Sequence, residues 1–129
     1  MRFTENEMTQ AMAGAAKSVL AARRDVRRGK RDVDELWETM DRHQRYQLLS
    51  SLGSQVLPVL VALPDVDVAP GTRPTYSDRQ VLATVEEVAS DDLGRVRRAV
   101  LVRARVALVQ AALAHVPPRL DPDALLGPE

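Results

Sequence analysis

The side chains that could take part in chemistry are few in this sequence, and their spacing matches no common catalytic motif. The chain has no cysteine, which excludes thiol nucleophiles, thiolate metal sites and disulfides. Its two histidines, His43 and His115, are far apart, and the serines around Gly53 lack the order of a nucleophile elbow. No phosphate-binding glycine loop or zinc spacing occurs. We therefore expect no cofactor and no metal, and the sequence argues against an enzyme without deciding the question.

The residues best suited to binding a small ligand are aromatic and imidazole side chains within one segment. Tyr46 follows His43 by three residues, so both lie on one face if the segment is helical. With Trp37 about a turn and a half before them, the three residues predict a small pocket with a polar rim. A surface histidine beside a tyrosine explains the same spacing, and ligand binding is therefore a second alternative function.

A cluster of basic residues is the densest charge feature of the sequence. Guanidinium groups bind phosphates and carboxylates, so the cluster predicts contact with an acidic protein or with nucleic acid. The acidic residues between Asp32 and Asp41 follow it directly, and positive charge is also favourable at the end of a helix. Because 18 basic residues balance 18 acidic ones, nucleic-acid binding is an alternative that is possible but not favoured. The cluster comprises Arg23, Arg24, Arg27, Arg28, Lys30 and Arg31.

The first predicted helix begins after Thr4 and ends near Gly29. Thr4 and Glu7 have the spacing of a capping box, and glycine is a natural residue to end a helix. The small residues around Gly14 would let a neighbouring backbone come close. The helix carries an apolar seam with a period of 3.5 residues, which is typical of helices packed lengthwise on others. The seam contains Met8, Met12, Ala15, Val19, Ala22 and Val26.

Two further helices are predicted before the middle of the chain. The first begins after the cap residue Asp32 and continues until Gly53 interrupts its apolar pattern. The second covers the apolar segment 56–63, with Pro58 near its first turn, where a proline does little harm. A strand is the competing interpretation of that segment, but a single strand would have no partner in the rest of the chain.

The second half of the chain begins with an irregular connection. Residues 64–76 contain three prolines and a Pro-Gly step, which are typical of a loop. Ser77 and Gln80 then have the spacing of another capping box, and they predict a helix over about 78–89.

The last predicted helix begins at residues 90–92 and ends near His115, before two prolines. Its apolar residues form two separate arcs around the helix. A helix that is apolar on two sides is either central in its domain or covered by another chain. One arc contains Leu93, Val96, Val100, Ala104, Ala107, Leu108 and Ala111, and the other contains Val102, Val106, Val109, Leu113 and Val116.

These elements predict an all-α protein with one domain, residues 1–129. We expect a compact bundle of four to five helices, with a proline-rich connection at about 64–76 and a loosely docked tail from about 117. The acidic N-terminus is unlike a secretory signal, and polar residues interrupt the uncharged stretch 46–64, so no membrane span is expected. The location predicted is the cytoplasm.

The function predicted from these patterns is a non-catalytic interaction or accessory protein. The apolar faces of the first and last helices exceed what a chain of this length is expected to bury. We therefore expect a homo-oligomer, with a dimer favoured, or a complex with another protein. Membranes are not expected as partners.

Overall fold

The structure, a computed structural model, describes residues 1–29, 32–89 and 94–119, and these residues form an all-α bundle. Outside the helices, the described ranges show one isolated antiparallel bridge, between Thr72 and Arg119. The predicted fold class, four to five helices with a proline-rich connection, is confirmed. The described ranges contain five helices longer than one turn, and α2 (Arg24–Arg27) is a single turn between the first two of them. The five are α1 (Glu5–Ala21), α3 (Val33–Thr39), α4 (Arg42–Ala62), α5 (Asp78–Val88) and α6 (Arg95–Ala114).

Helix α1 begins as predicted and ends earlier than predicted. Its capping box is present, since the amide of Glu7 donates to the Thr4 hydroxyl at 3.0 Å and the amide of Thr4 donates to the Glu7 carboxylate at 2.9 Å. Leu20 is the last buried residue of α1, and Ala22 is exposed, so a longer helix would bury little more apolar surface. The chain instead turns at Gly29, where φ is 73°, and α3 packs back on α1. The prediction of one helix up to Gly29 was wrong.

The sequence predicted a break between two helices at Gly53. The structure instead places the break between α3 and α4 at Met40. Met40 has extended backbone angles, and Asp41 then caps α4 through a capping box with Gln44. From there α4 continues through Gly53 and Pro58 without interruption, which confirms a helix over most of 56–63. Packing explains the continuity, because burial of the inner side of α4 outweighs the local cost of a glycine and a proline. Its fully buried residues are Val56, Val59 and Leu60.

The irregular connection predicted for about 64–76 lies between α4 and α5. The hydroxyl of the buried Tyr76 donates a hydrogen bond to the carbonyl of Pro64 at 2.7 Å, which ties the two ends of the connection together. Burial and the nearby Asp65 carboxylate raise the pKa of Tyr76 to about 12, so the hydroxyl stays protonated as a donor. Helix α5 then begins with the predicted capping box.

The core lies where α1, α4, α5 and α6 meet. The predicted start of the last helix, at residues 90–92, is outside the described ranges, and the described helix begins after Gly94. The small residues around Gly14 were predicted to let a neighbouring backbone come close. In the structure it is the side chain of His115 that packs directly against Gly14. The largest fully buried side chains of the core are Leu60, Leu63, Val56, Val59, Val81, Val85, Val109 and Val116.

The segment after α6 contacts both α1 and the connection 64–76. The amide of Arg119 donates to the carbonyl of Thr72 at 2.7 Å, and the buried Arg119 side chain reaches Glu7. The tail predicted from about 117 is thus anchored through its first residues, and residues 120–129 are outside the described ranges.

Candidate interaction surface

The two apolar arcs predicted for α6 lie on opposite sides of the helix; the described chain covers the second arc and only the later part of the first, around Leu108. Val102, Val109 and Leu113 of the second arc are buried where α6 packs against α1, α4 and α5. On the first arc, Val96 has 77% and Val100 has 63% of its surface exposed. The N-terminal half of α6 therefore carries an apolar strip that no described residue covers.

This strip continues along α6 and onto α5. Ala104 and Ala107, one and two turns after Val100, are also exposed. Leu82 of α5, 37% exposed, lies with Ala99 of α6 on the groove between the two helices. Leu93, the first member of the predicted arc, is outside the described ranges. We name this surface the outer face, and it consists of Leu82, Val96, Ala99, Val100, Ala104 and Ala107.

A groove of about 590 Å³ lies between α5 and α6, and of the outer face only Leu82 and Ala99 line it. Its apolar lining comes from Leu82, Ala99 and Val102. Its charged lining comes from Glu86 of α5 and from three arginines of α6, Arg95, Arg98 and Arg103.

Two hydrogen bonds show that α5 and α6 run antiparallel, side by side. Arg98 Nη2 donates to the carbonyl of Glu86 at 3.0 Å, which joins the end of α5 to the beginning of α6. Gln110 Nε2 donates to Asp78 Oδ1 at 2.9 Å, which joins the beginning of α5 to the later part of α6.

The two helices differ in the charge that they expose. Helix α6 contains five arginines and no acidic residue, and Arg97 and Arg103 are exposed on either side of its apolar strip. Helix α5 carries the exposed pair Glu86 and Glu87 in its last turn. Within the described ranges, no ion pair joins any of these four side chains to another group. Their charges are therefore available at the surface.

The basic cluster predicted from the sequence is spread over the bend between α1 and α3. Arg23 follows α1, and Arg27 and Arg28 lie at the end of α2, with all three side chains exposed. Because α1 ends early, these arginines do not form one row along a single helix. Lys30, Arg31 and the side chain of Arg24 are outside what the structure describes.

The predicted pocket around Trp37, His43 and Tyr46 is divided by the break before α4. Trp37 lies on α3, whereas His43 and Tyr46 lie in the first turns of α4 and are exposed. Trp37 is contacted by Arg45, whose Nη2 and Nε donate to the Trp37 carbonyl at 2.6 and 3.0 Å. The Arg45 guanidinium also lies 5.2 Å from the centre of the indole ring. The neighbouring groove of about 620 Å³ is lined by other residues, namely Arg23, Leu36, Thr39, Met40, Gln44, Gln47 and Leu48.

A buried ion pair between Glu7 and Arg119 was not predicted from the sequence. Arg119 Nε and Nη2 donate to the two carboxylate oxygens of Glu7 at 2.7 and 3.0 Å. Burial alone would raise the pKa of Glu7, but the hydrogen bonds from Arg119 and Thr4 and the charge of Arg119 outweigh it, so the pKa lies below its usual 4.5. The sequence marks Glu7 only as a capping residue, and no spacing connects it to a residue 112 positions away.

Comparison with known proteins finds no matching protein-family model, no matching curated protein and no matching solved structure. The described residues contain no group of three or more histidines and carboxylates that could hold a metal ion. None of the described helices is both long enough and apolar enough to cross a membrane. The structure itself thus defines the class of protein, an all-α bundle with an exposed apolar strip on its last helix.

Proposed function

We propose that this protein is a non-catalytic helical interaction protein that associates with itself, most simply as a dimer, through the outer face. The observation that supports the proposal best is the exposure of Val96 and Val100 on one side of α6. Single exposed apolar residues are ordinary on a protein surface, whereas a continuous exposed strip is typical of an interaction site. The outer face contains such a strip, since Ala104 and Ala107 follow the two valines on the same side of α6, and Leu82 and Ala99 line the neighbouring groove.

Helix α1 does not contribute to the proposed interface. Met12, Ala15 and Leu20 of its apolar face are buried within the chain. The sequence pattern predicted association through the first and last helices, and the proposal now uses only α6 and its neighbour α5.

The size of the outer face indicates a weak association. From Val96 to Ala107 it extends about 18 Å along α6, and it is about two helix diameters wide, which gives a flat area of about 400 Å². A standard stable interface buries about 800 Å² on each partner. We therefore expect a dimer that dissociates on dilution.

Replacing the two exposed valines tests this proposal. The double variant Val96→Ser/Val100→Ser should raise the Kd for self-association by more than about 100-fold, because four valine side chains leave a symmetric interface. The measurement is light scattering after gel filtration over a wide range of protein concentrations.

Val61→Ser is the matched control for this test. Val61 is 61% exposed on α4 and lies outside the outer face, so its replacement should leave the Kd unchanged. A wild-type chain that stays monomeric at every concentration would refute the proposal, and so would a Val61 variant that dissociates as strongly as the double variant.

A second candidate function, nucleic-acid binding, is favoured by one observation, the exposure of Arg23, Arg27 and Arg28 on the bend after α1. Phosphate contacts weaken steeply as salt rises, so binding to a labelled duplex would have to be strongest at low salt. A duplex that is not retarded at low salt would exclude this function.

The proposal places the dimer in the cytoplasm, since a chain without cysteine gains no disulfide from an oxidising compartment. It includes no cofactor. Ligand binding near Trp37 has less support, because the contact described for Trp37 is with Arg45 and not with His43 or Tyr46.

A further inference from the structure

The groove between α5 and α6 has a purely aliphatic apolar lining. That lining is formed by Leu82 of α5 and by Ala99 and Val102 of α6. Among the described residues, no aromatic, amide or hydroxyl side chain lines the groove. A planar ligand would therefore find no ring to stack on, whereas an aliphatic chain would find an apolar surface of its own kind.

The charged side chains of the groove are mostly basic. Three arginines line it, and Glu86 is the single acidic residue among the described lining. Arg98 already donates to the carbonyl of Glu86 at 3.0 Å. Arg95 and Arg103 are exposed, and neither forms an ion pair within the described ranges. Two guanidinium groups therefore remain beside the aliphatic lining to bind an anion.

The size of the groove is that of a small-molecule site. Arg95 and Arg103 are eight residues apart on α6, which corresponds to about 12 Å along the helix axis. A volume of about 590 Å³ lies within the range of ligand clefts, roughly 300–1,000 Å³. A stable protein interface needs about 800 Å² on each partner, which is far more than three aliphatic side chains provide.

We propose that this groove binds an aliphatic carboxylic acid, with its chain on the three aliphatic side chains and its carboxylate against Arg95 and Arg103. Guanidinium groups form charge-assisted hydrogen bonds with carboxylates. Glu86 in the same lining repels a dianion more strongly than a monoanion, which favours a carboxylate over a phosphate. The site does not depend on the proposed dimer, because Val96 and Val100 do not line the groove.

Titration with decanoate tests the site. Isothermal titration calorimetry on the wild-type chain should give a Kd below about 1 mM. Decyltrimethylammonium has the same chain with a cationic head, and it should bind at least about fivefold more weakly. Decyl phosphate should bind no more tightly than decanoate.

Removing the two unpaired charges tests the role of the arginines. Arg95→Gln/Arg103→Gln should raise the Kd for decanoate at least about fivefold. Arg97→Gln/Arg105→Gln is the matched control, because it makes the same change with the same spacing on α6 at two residues that do not line the groove. This control should bind decanoate like wild type.

Filling the groove tests its location. Ala99→Phe places a ring in the groove and should abolish measurable binding of decanoate. Ala104→Phe is the matched control, because Ala104 is equally exposed on α6 but does not line the groove, and its Kd should be unchanged. Circular dichroism checks that both substitutions, which lie at exposed positions, leave the helices intact.

The outcomes also separate this site from the proposed dimer. Val96→Ser/Val100→Ser keeps every lining residue of the groove, so it should bind decanoate like wild type even where it no longer dimerises. Absence of decanoate binding to the wild-type chain overturns the site, and so does equal binding of decyltrimethylammonium or undiminished binding by Ala99→Phe. Tighter binding of decyl phosphate overturns the choice of a carboxylate.

Discussion

Glu7 and Arg119 join the first helix to the segment that follows the last one. Both side chains are buried, and two parallel hydrogen bonds connect the guanidinium to the carboxylate. A buried pair of this kind adds little stability compared with apolar residues of the same volume, but the loss of one partner leaves an uncompensated charge. We infer that the pair mainly determines where the chain lies after α6.

Removal of one partner should therefore cost much more than removal of both. Arg119→Met leaves the Glu7 carboxylate buried without its cation, and we expect the free energy of unfolding to fall by about 3–5 kcal/mol. Glu7→Gln/Arg119→Met should recover most of this loss, since glutamine can still accept from the Thr4 amide. Urea denaturation measures both values, and an equal loss in the single and double variants would contradict the coupling.

Because the pKa of Glu7 is lowered in the folded chain, the free energy of unfolding should decrease at acidic pH. A carboxylate whose pKa is lower in the folded chain than in the unfolded chain contributes fully above the unfolded pKa, which is about 4.5 for glutamate. Its contribution is lost as the pH falls through the folded pKa. As the pH decreases below about 4, the free energy of unfolding of wild type should decrease more steeply than that of Glu7→Gln. Urea denaturation at several pH values measures the two slopes, which would be parallel if Glu7 were not involved.

The starts of the helices follow local rules, and their ends do not. The capping boxes at Thr4 and Ser77 begin α1 and α5 as predicted, because a cap is formed by hydrogen bonds between residues three positions apart. The same spacing at Asp41 and Gln44 marks the true start of α4, and Gly53 was wrongly given more weight. The end of α1 depends on where its burial stops, which a local pattern does not contain.

Gly14 and Gly53 lie inside long helices and should respond to alanine in opposite ways. In an open helix the change stabilises by up to about 1 kcal/mol. At Gly53 a new Cβ would meet only Leu57 Cδ1, at 3.5 Å, so Gly53→Ala should raise the free energy of unfolding by about 0.5–1 kcal/mol. At Gly14 it would collide with the His115 side chain, so Gly14→Ala should lower that energy by about 1–3 kcal/mol. Thermal unfolding compares the two variants, and stabilisation of both would contradict the close packing of α1 on α6.

The described residues share one buried core but leave the outer face uncovered. The acidic and basic residues of the chain balance in number, but the charged residues of α6 are all arginines, whereas α5 ends with two glutamates. A single copy has no described element that covers the strip around Val96 and Val100. The proposed dimer uses this exposed apolar strip.

The sequence by itself determined the all-helical class, the starts of α1, α3 and α5, and the two apolar arcs of α6, because period and capping are properties of neighbouring residues. Only the tertiary structure decided that Val102 and Val109 face the core while Val96 and Val100 remain exposed. It also decided that Arg45 contacts Trp37, and that Glu7 pairs with Arg119. These contacts join residues on different elements, and their geometry is set by how the helices pack against one another.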